Sequence, residues 1–178
     1  MRWLSKFIFN SILGWSIDGL LPNLKKCVII VVPHTHWQDF IIGVLVRDII
    51  GMEINFIGKK ELFKPPLGWL FKWMGGAPVN RGSKSNTVDS IVDIFNQREL
   101  FRLALSPEGT RKKVNTWKTG FYYVAKKANV PVVPVSFDFS KKKVTIFKPF
   151  EVSDNKESDI KTLRNLFKGV VGKIPEYS

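Results

Sequence analysis

The stretch CVIIVVPHTHWQDF, residues 27–40, decides how this chain folds. Its first six residues are apolar and mostly β-branched, and they lack the alternation of polar and apolar residues that a half-exposed strand shows. A short, continuously apolar run is typical of a strand covered on both faces, as in the sheets of α/β proteins. Residues 33–39 are mostly polar and indicate that the chain leaves this strand and enters a helix.

Four further segments resemble this strand, and helical patterns separate them. The predicted strands are residues 27–32, 54–57, 100–105, 130–139 and 144–147. The predicted helices are residues 40–50, 67–74, 87–97, 119–128 and 159–170, with a polar loop at 153–158 before the last. Alternation of this kind in a chain of 178 residues predicts a single α/β domain, in which helices flank a mixed, largely parallel sheet.

The N-terminal residues predict an additional, amphipathic helix. Within residues 3–17, Leu4, Ile8, Ile12 and Trp15 recur at spacings of four and three, which places them along one face of a helix. That face packs on the core or on a membrane, and the wide apolar stripe with flanking cations favours the membrane. We therefore expect residues 1–22 to form a membrane-contacting helix and residues 23–178 to form the main domain.

The charge of the chain favours anionic partners. Lys and Arg number 28 against 15 Asp and Glu, a formal net charge of +13. Nucleic acid, anionic membranes, acidic carrier proteins and phosphorylated metabolites all match this charge, and charge alone does not choose among them. The six Trp, fourteen Phe and three Tyr suit either a membrane interface or an aromatic core.

The sequence also argues against several classes of protein. No apolar run approaches the roughly 18 residues of a membrane-spanning helix, so we expect no transmembrane segment. Lys6, Asn10 and Asp18 interrupt the N-terminal apolar region, so we expect no signal peptide. The single cysteine, Cys27, excludes an internal disulfide framework and is expected to be a small buried hydrophobic residue.

A histidine and an aspartate at the predicted helix start carry the clearest chemistry. Thr35 followed three residues later by Gln38 has the pattern of a capping box, with Thr35 as the N-cap. In that register His34 and Asp39 occupy N′ and N4, two positions that contact each other at many helix starts. The resulting pair would be a general base, because the carboxylate orients the imidazole and stabilises the imidazolium after proton transfer.

Two other interpretations of this segment stay open at this point. His34 can be a structural histidine at a helix start, without a chemical role. Alternatively, His36 can pair with Asp39, three residues further along the helix.

Two cations follow strands in the α/β pattern. Lys59 comes after the strand at 54–57, and Arg81 lies in the segment GGAPVNRG, residues 75–82. Ligands of α/β sheets bind at the carboxyl ends of strands, and Arg and Lys both suit a phosphate. Taken singly, each residue is more often a solvated surface cation.

Two more segments lie at strand ends. In LSPEGTR, residues 105–111, the Pro-Glu-Gly turn is expected to expose the carboxylate of Glu108 to the hydroxyls of a polyol, although an ordinary loop has the same composition. In VPVVPV, residues 130–135, two prolines lack backbone N–H groups. We expect this second segment to form a strand edge or a wall for an acyl chain.

Taken in order, these segments resemble the motifs of the glycerolipid acyltransferases typified by 1-acylglycerol-3-phosphate acyltransferases. His34 and Asp39 match the His-x4-Asp motif, and Gly75 with Arg81 matches the second motif. The Glu-Gly-Thr motif is present at residues 108–110, and the proline-containing apolar motif at residues 130–135. The resemblance covers about residues 28–136, and four motifs in the correct order are more specific than any one of them.

The resemblance implies a role for each site residue. His34 would activate the hydroxyl of the acceptor, with Asp39 as its orienting partner. The two cations would hold the acceptor phosphate, and the Glu-Gly-Thr segment would position its glycerol portion. The residues expected to bind substrate are Lys59, Arg81, Glu108, Gly109, Thr110 and Arg111.

The resemblance also implies the partners. We expect an O-acyltransferase of a lysophospholipid such as lysophosphatidic acid, using acyl-CoA or acyl-acyl carrier protein (acyl-ACP) as co-substrate, with no metal and no further cofactor. The enzyme would be peripheral, on an anionic membrane surface at the cytoplasmic face of the inner membrane, and would not bind nucleic acid. Three alternatives are an acyltransferase of another single-chain lipid such as a lyso-aminolipid, a basic nucleic-acid-binding module and a membrane scaffold without activity.

Overall fold

The computed structural model describes residues 2–66, 68–79 and 84–178. Within them, six α-helices flank a seven-stranded sheet. The strands are β1 (Ser16–Asp18), β2 (Lys26–Val32), β3 (Asn55–Lys59), β4 (Gly76–Val79), β5 (Phe101–Leu105), β6 (Val132–Asp138) and β7 (Lys143–Ile146). The helices are α1 (Arg2–Phe7), α2 (Gln38–Ile50), α3 (Gly68–Trp73), α4 (Lys84–Gln97), α5 (Gly120–Ala128) and α6 (Lys156–Asn165).

The sheet has the order β1-β7-β6-β2-β5-β3-β4, and all neighbouring strands are parallel except β6 and β7. Strand β2 lies in the middle, hydrogen-bonded to β5 on one side and β6 on the other. This position explains its unbroken apolar sequence, because both of its faces are covered. The predicted fold class, a mixed and largely parallel α/β sheet in a single domain, is confirmed.

The two faces of the sheet carry different helices. Cys27 and Ile29 of β2 pack with Phe9 and with α2, on what we call the α2 face. Val28 and Ile30 point the other way and pack with α4, α5 and α6, on the α5 face. Helix α3 connects the parallel strands β3 and β4, as α2 connects β2 and β3. Both connections move toward the β4 edge of the sheet. Because such crossovers are right-handed, α3 lies on the α2 face too.

The five predicted strands are all present, with ends within two residues of those predicted. Two short strands, β1 and β4, were not predicted. Each has only three or four residues, and β4 contains Gly76 and Pro78, which disfavour a strand in an isolated sequence. The last helix begins earlier than predicted, because the side chain of Asn155 accepts a hydrogen bond from the backbone N–H of Ser158 and caps it.

The N-terminal helix is shorter than predicted. The α-helix ends at Phe7, a π-helical turn spans Ile8–Ile12, and β1 follows within the segment predicted to be helical. Gly14, with a φ of +72°, turns the chain into that strand. Trp15 therefore does not share a face with Leu4, and its buried ring packs edge-on against Phe139.

Strand β6 corrects a second prediction. Of the two expectations for residues 130–135, the strand edge is wrong, because β6 lies inside the sheet between β7 and β2, and the acyl-chain wall stays a prediction. The carbonyl of Pro134 accepts a hydrogen bond from the N–H of Phe147. None of the helices in the described residues is long and apolar enough to cross a bilayer.

Candidate active site

His34 and Asp39 meet where β2 ends and α2 begins. The Nδ1 atom of His34 lies 2.9 Å from Oδ2 of Asp39. Asp39 is buried, whereas 28% of the His34 side chain is exposed. The predicted contact is therefore present, with the imidazole between a buried carboxylate and solvent.

The contact does not arise from the predicted capping box. Helix α2 begins at Gln38, its N-cap is Trp37, and no side chain caps it. Instead Oδ2 of Asp39 accepts hydrogen bonds from the backbone N–H groups of Thr35 and His36, each at 2.9 Å. A carboxylate is a stronger acceptor than the Thr35 hydroxyl. The loop therefore bends around the side chain of Asp39, at the N-terminal, positive end of the helix dipole.

The alternative pair of His36 and Asp39 is not formed between side chains. Only the backbone N–H of His36 reaches the carboxylate. Its ring packs against Trp37 at 5.4 Å between centroids, and its Nδ1 accepts a hydrogen bond from the N–H of Gln38 at 3.3 Å. The geometry therefore pairs the side chain of Asp39 with His34 and not with His36.

Glu108 does not project into solvent as the sequence suggested. Its side chain is buried, and Oε2 accepts hydrogen bonds from the backbone N–H of His34 at 2.6 Å and from the hydroxyl of Ser106 at 3.2 Å. Strands β2 and β5 are paired in register, so the loops after their carboxyl ends meet. Burial raises the pKa of Glu108, although the two hydrogen bonds oppose the shift.

The three residues after Glu108 lie on the outer part of the same loop. Gly109 has a φ of +64°, and its carbonyl accepts a hydrogen bond from Nζ of Lys118 at 3.3 Å. The hydroxyl of Thr110 accepts from the N–H of Lys112 at 3.4 Å, and Arg111 is exposed. These residues are accessible beside the His34 loop, and their binding of substrate stays a prediction.

Of the two predicted phosphate ligands, the structure describes the backbone position of one. Lys59 is the last residue of β3, at the same edge of the sheet as the ends of β2 and β5. Arg81 lies outside the described residues. Among the described residues, no group of three or more His, Cys, Asp or Glu side chains is arranged to hold a metal ion.

An apolar cavity of about 260 Å³ lies between α2 and the sheet. His34, Asp39 and Ser106 line it at the carboxyl ends of the strands, and Leu21 and Ile50 line it at the opposite end of α2. It therefore follows α2, a helix of 13 residues and about 20 Å. The remaining wall is formed chiefly by Ile29, Val31, Phe40, Gly43, Val44, Val46, Phe56, Ala104, Val135 and Phe137.

Sequence reasoning did not identify two hydrogen bonds near the site, one beside Glu108 and one at Thr35. Ser106 donates its hydroxyl to Glu108, and its place directly before the Pro-Glu-Gly turn was the available signal. The hydroxyl of Thr35 accepts a hydrogen bond from the N–H of Ile174 at 3.2 Å. Gly172 lies so close to Thr35 that a Cβ there would be 2.6 Å from its hydroxyl oxygen. The hydrogen bond between Ile174 and Thr35 joins residues 139 positions apart, which no local pattern indicates.

Comparison with known proteins agrees with the fold and the motifs. The family model described as Acyltransferase matches residues 19–138. The 1-acyl-sn-glycerol-3-phosphate acyltransferase BAT2 of Brassica napus is 34% identical over 130 residues, which are 67% of this chain and 36% of the relative. The human 1-acyl-sn-glycerol-3-phosphate acyltransferase beta is 30% identical over 149 residues, 71% of this chain and 52% of the relative. The chain thus spans only about a third to a half of these relatives.

A solved structure has the same fold. The crystal structure of the 1-acyl-sn-glycerophosphate (LPA) acyltransferase PlsC from Thermotoga maritima matches with a TM-score of 0.65 and 22% sequence identity. The match covers 94% of this chain and 75% of that one. Because the family model covers more than half of the chain and the His-x4-Asp and Glu-Gly-Thr motifs lie within it, this chain belongs to the acyltransferase family.

Proposed function

We propose that this protein is an O-acyltransferase that moves a fatty acyl group from acyl-CoA or acyl-ACP to the hydroxyl of lysophosphatidic acid. The relatives that match most of this chain's length are named as 1-acyl-sn-glycerol-3-phosphate acyltransferases. The observation that carries the proposal is the contact of 2.9 Å between His34 and Asp39 at one end of an apolar cavity.

His34 is the general base of the proposed reaction. With Nδ1 directed at Asp39, the other ring nitrogen, Nε2, is left to take a proton from the acceptor hydroxyl. The hydroxyl oxygen attacks the thioester carbonyl as the proton leaves, which gives a tetrahedral intermediate. Its collapse breaks the C–S bond, and the imidazolium of His34 returns the proton to the departing thiolate. The buried carboxylate of Asp39 stabilises the imidazolium between these steps.

The cavity along α2 suits the acyl chain of the donor. Its walls are predominantly aliphatic and aromatic, so a hydrocarbon chain there is removed from water. A chain that enters from the end at His34 leaves its thioester carbonyl beside the imidazole. No metal or further cofactor takes part in this proposal, since the base and the thioester supply the chemistry.

The acceptor is bound through its phosphate and its glycerol portion. Lys59 and Arg81 bind its phosphate, and Gly109, Thr110 and Arg111 contact the glycerol portion. Glu108 does not contact the acceptor in the proposed reaction, because its buried carboxylate already accepts hydrogen bonds from His34 and Ser106.

The enzyme works as a peripheral protein on an anionic membrane, at the cytoplasmic face of the inner membrane. The large side chains of Trp3 and Phe7 on α1 are exposed and stack on each other, which suits insertion at an interface. The net charge of +13 attracts acidic lipids as well as either acidic donor.

Substitution of the two histidines tests the central assignment. His34→Ala is expected to reduce kcat by roughly 100-fold or more, in line with the loss of a general base. His36→Ala is the matched control, since the chain has two histidines and Asp39 uses only the backbone N–H of His36. Turnover of lysophosphatidic acid by His34→Ala at the wild-type rate would exclude His34 as the base.

The acceptor is tested separately. Purified enzyme with radiolabelled acyl donor is expected to acylate lysophosphatidic acid in preference to phosphate-free lysolipids. Arg81→Ala is expected to raise KM for the acceptor and leave KM for the donor unchanged. Preference for a lyso-aminolipid would instead make Arg81 a ligand for a carboxylate.

A further inference from the structure

Helix α3 exposes two tryptophans on one face. Trp69 and Trp73 are 71% and 66% exposed, and their spacing of four residues aligns them along the helix. Such exposure is unusual for the largest apolar side chain, and a contiguous exposed apolar patch is typical of an interaction surface. The membrane contact predicted from the sequence lies within residues 1–22, so α3 is a separate element.

Helices α1 and α3 are held to the same turn of α2. In α1, the guanidinium of Arg2 donates to the carbonyl of Ile49, and the hydroxyl of Ser5 donates to the carboxylate of Asp48. Directly after α3, the carbonyl of Met74 accepts a hydrogen bond from Arg47. The exposed aromatic residues of both helices therefore belong to one side of the molecule, the side of the α2 face.

The opposite side has one exposed aromatic side chain among the described residues, Tyr123. Among the described residues, the exposed large hydrophobic side chains of the α5 face are Leu100, Tyr123 and Leu166, and none exceeds 40% exposure. On the α2 face, the N-cap residue Trp37 and Ile41 of α2 are also exposed, at 55% and 45%. The aromatic surface is thus a property of one side, and the abundance of aromatic residues in the chain does not explain it.

The charges around α3 indicate what this surface contacts. Lys60, Lys64 and Lys72 are exposed in and directly before the helix, and Glu61 is the exposed acidic residue among them. Tryptophan at the level of lipid headgroups, with lysine beside it, is the combination that binds an anionic bilayer. A protein partner with an apolar surface would not require the lysines.

We propose that α3 is a second membrane-docking element, in which Trp69 and Trp73 enter the interface of an anionic bilayer and the adjacent lysines contact lipid phosphates. The proposal rests on the proposed function for its biological sense, since the substrates are lipids. Met74 and Phe40, which lie on α3's connection to β4 and on α2, also line the cavity. Docking through α1 and α3 together brings that cavity to the bilayer surface.

Vesicle co-sedimentation of the full chain tests the proposal. On vesicles of phosphatidylglycerol and phosphatidylethanolamine, Trp69→Ala/Trp73→Ala is expected to bind roughly tenfold or more weakly than wild type, the effect of removing two interfacial side chains. Tyr123→Ala, an exposed aromatic residue on the opposite side, is the matched control and is expected to bind as wild type. Trp3→Ala/Phe7→Ala measures the contribution of α1 in the same assay.

Several outcomes would overturn the proposal. Wild-type affinity of Trp69→Ala/Trp73→Ala would show that α3 does not touch lipid. A loss of self-association in that variant, with unchanged vesicle binding, would make the surface a contact between two copies of the chain. Thermal unfolding of each variant checks the fold, and Trp69→Ser/Trp73→Ser replaces the alanine variant if that one unfolds.

Activity distinguishes failure of docking from failure of the proposed function. With a water-soluble, short-chain lysophosphatidic acid, Trp69→Ala/Trp73→Ala is expected to turn over as wild type, because neither residue lines the cavity. Vesicle binding through α3 without any acyl transfer by wild type would leave docking intact and reject the proposed function. Acyl transfer by wild type, with vesicle binding that does not depend on α3, would keep the proposed function and reject docking through α3.

Discussion

The carboxylate of Glu108 lies 2.6 Å from the backbone nitrogen of His34 and joins the end of β5 to the loop after β2. The neighbouring loop residues Thr35 and His36 are held by Asp39 in the same way, through their backbone N–H groups. Two buried acidic side chains therefore fix the backbone on both sides of the His34 side chain. In the proposed enzyme, Glu108 positions the base and does not bind the acceptor.

The pH dependence of stability tests the environment of Glu108. Its pKa is raised above 4.5, chiefly by burial, so the folded protein binds this proton more tightly than the unfolded chain. The stabilisation by Glu108 is complete below the unfolded pKa and is lost as pH rises through the folded pKa. The stability of Glu108→Gln relative to wild type, measured by urea unfolding, should therefore increase as the pH rises above the ordinary glutamate pKa of 4.5. A difference that is constant with pH would contradict the burial of a titrating carboxyl.

Kinetics separate positioning by Glu108 from binding. Glu108→Ala leaves the N–H of His34 without its acceptor and is expected to lower kcat by about tenfold or more, with little change in KM for the acceptor. Glu108→Gln keeps an acceptor oxygen and should recover most of kcat. A rise in KM for the acceptor with unchanged kcat would return Glu108 to the role of a polyol ligand.

Asp39→Asn tests the partner of the base. The amide keeps the shape of the side chain but does not stabilise an imidazolium, so kcat is expected to fall by about 100-fold or more. Asp138→Asn is the matched control. Asp138 is also buried and accepts N–H hydrogen bonds from Ser140 and Lys141, but it does not line the cavity. Equal losses of kcat in the two variants would mean that Asp39 contributes to the stability of the fold and not to the reaction.

Gly43 tests the proposed site of the acyl chain. It lines the cavity, and a Cβ added there would have the Phe137 ring as its nearest neighbour, at 3.9 Å. Gly43→Ala should therefore fold and act as wild type, whereas the larger side chain of Gly43→Leu should fill part of the cavity. The ratio of kcat/KM for a short-chain donor to that for a long-chain donor is expected to rise by about tenfold in Gly43→Leu. An unchanged ratio would place the acyl chain elsewhere.

Cys27 is expected to be unreactive. It is completely buried between the sheet and the helices of the α2 face, and burial raises the pKa of its thiol to about 11. At neutral pH the thiolate is then a very small fraction, and reagents have no access to it. A chromogenic disulfide reagent should label no thiol in the native protein and one per chain in urea. Rapid labelling of the native protein would mean that the core opens at β2.

Local patterns in the sequence determined the architecture of this protein. The unbroken apolar run of residues 27–32 identified an interior strand, because only a strand covered on both faces gains from such a sequence. The contact of His34 with Asp39 at the strand-to-helix boundary was likewise predicted, although the capping box from which it was predicted does not form. Both inferences depend on residues close together in the chain, where backbone geometry limits the possible arrangements.

Only the tertiary structure decided how that pair is held and what surrounds it. The direction of Glu108, the contact of Ile174 with Thr35 and the cavity along α2 join segments far apart in sequence. The predicted capping box was wrong because the hydroxyl of Thr35 accepts a hydrogen bond from Ile174, a residue distant in sequence. A polar side chain takes the strongest partner within reach, and which partners are within reach is settled only when the sheet and its helices have packed.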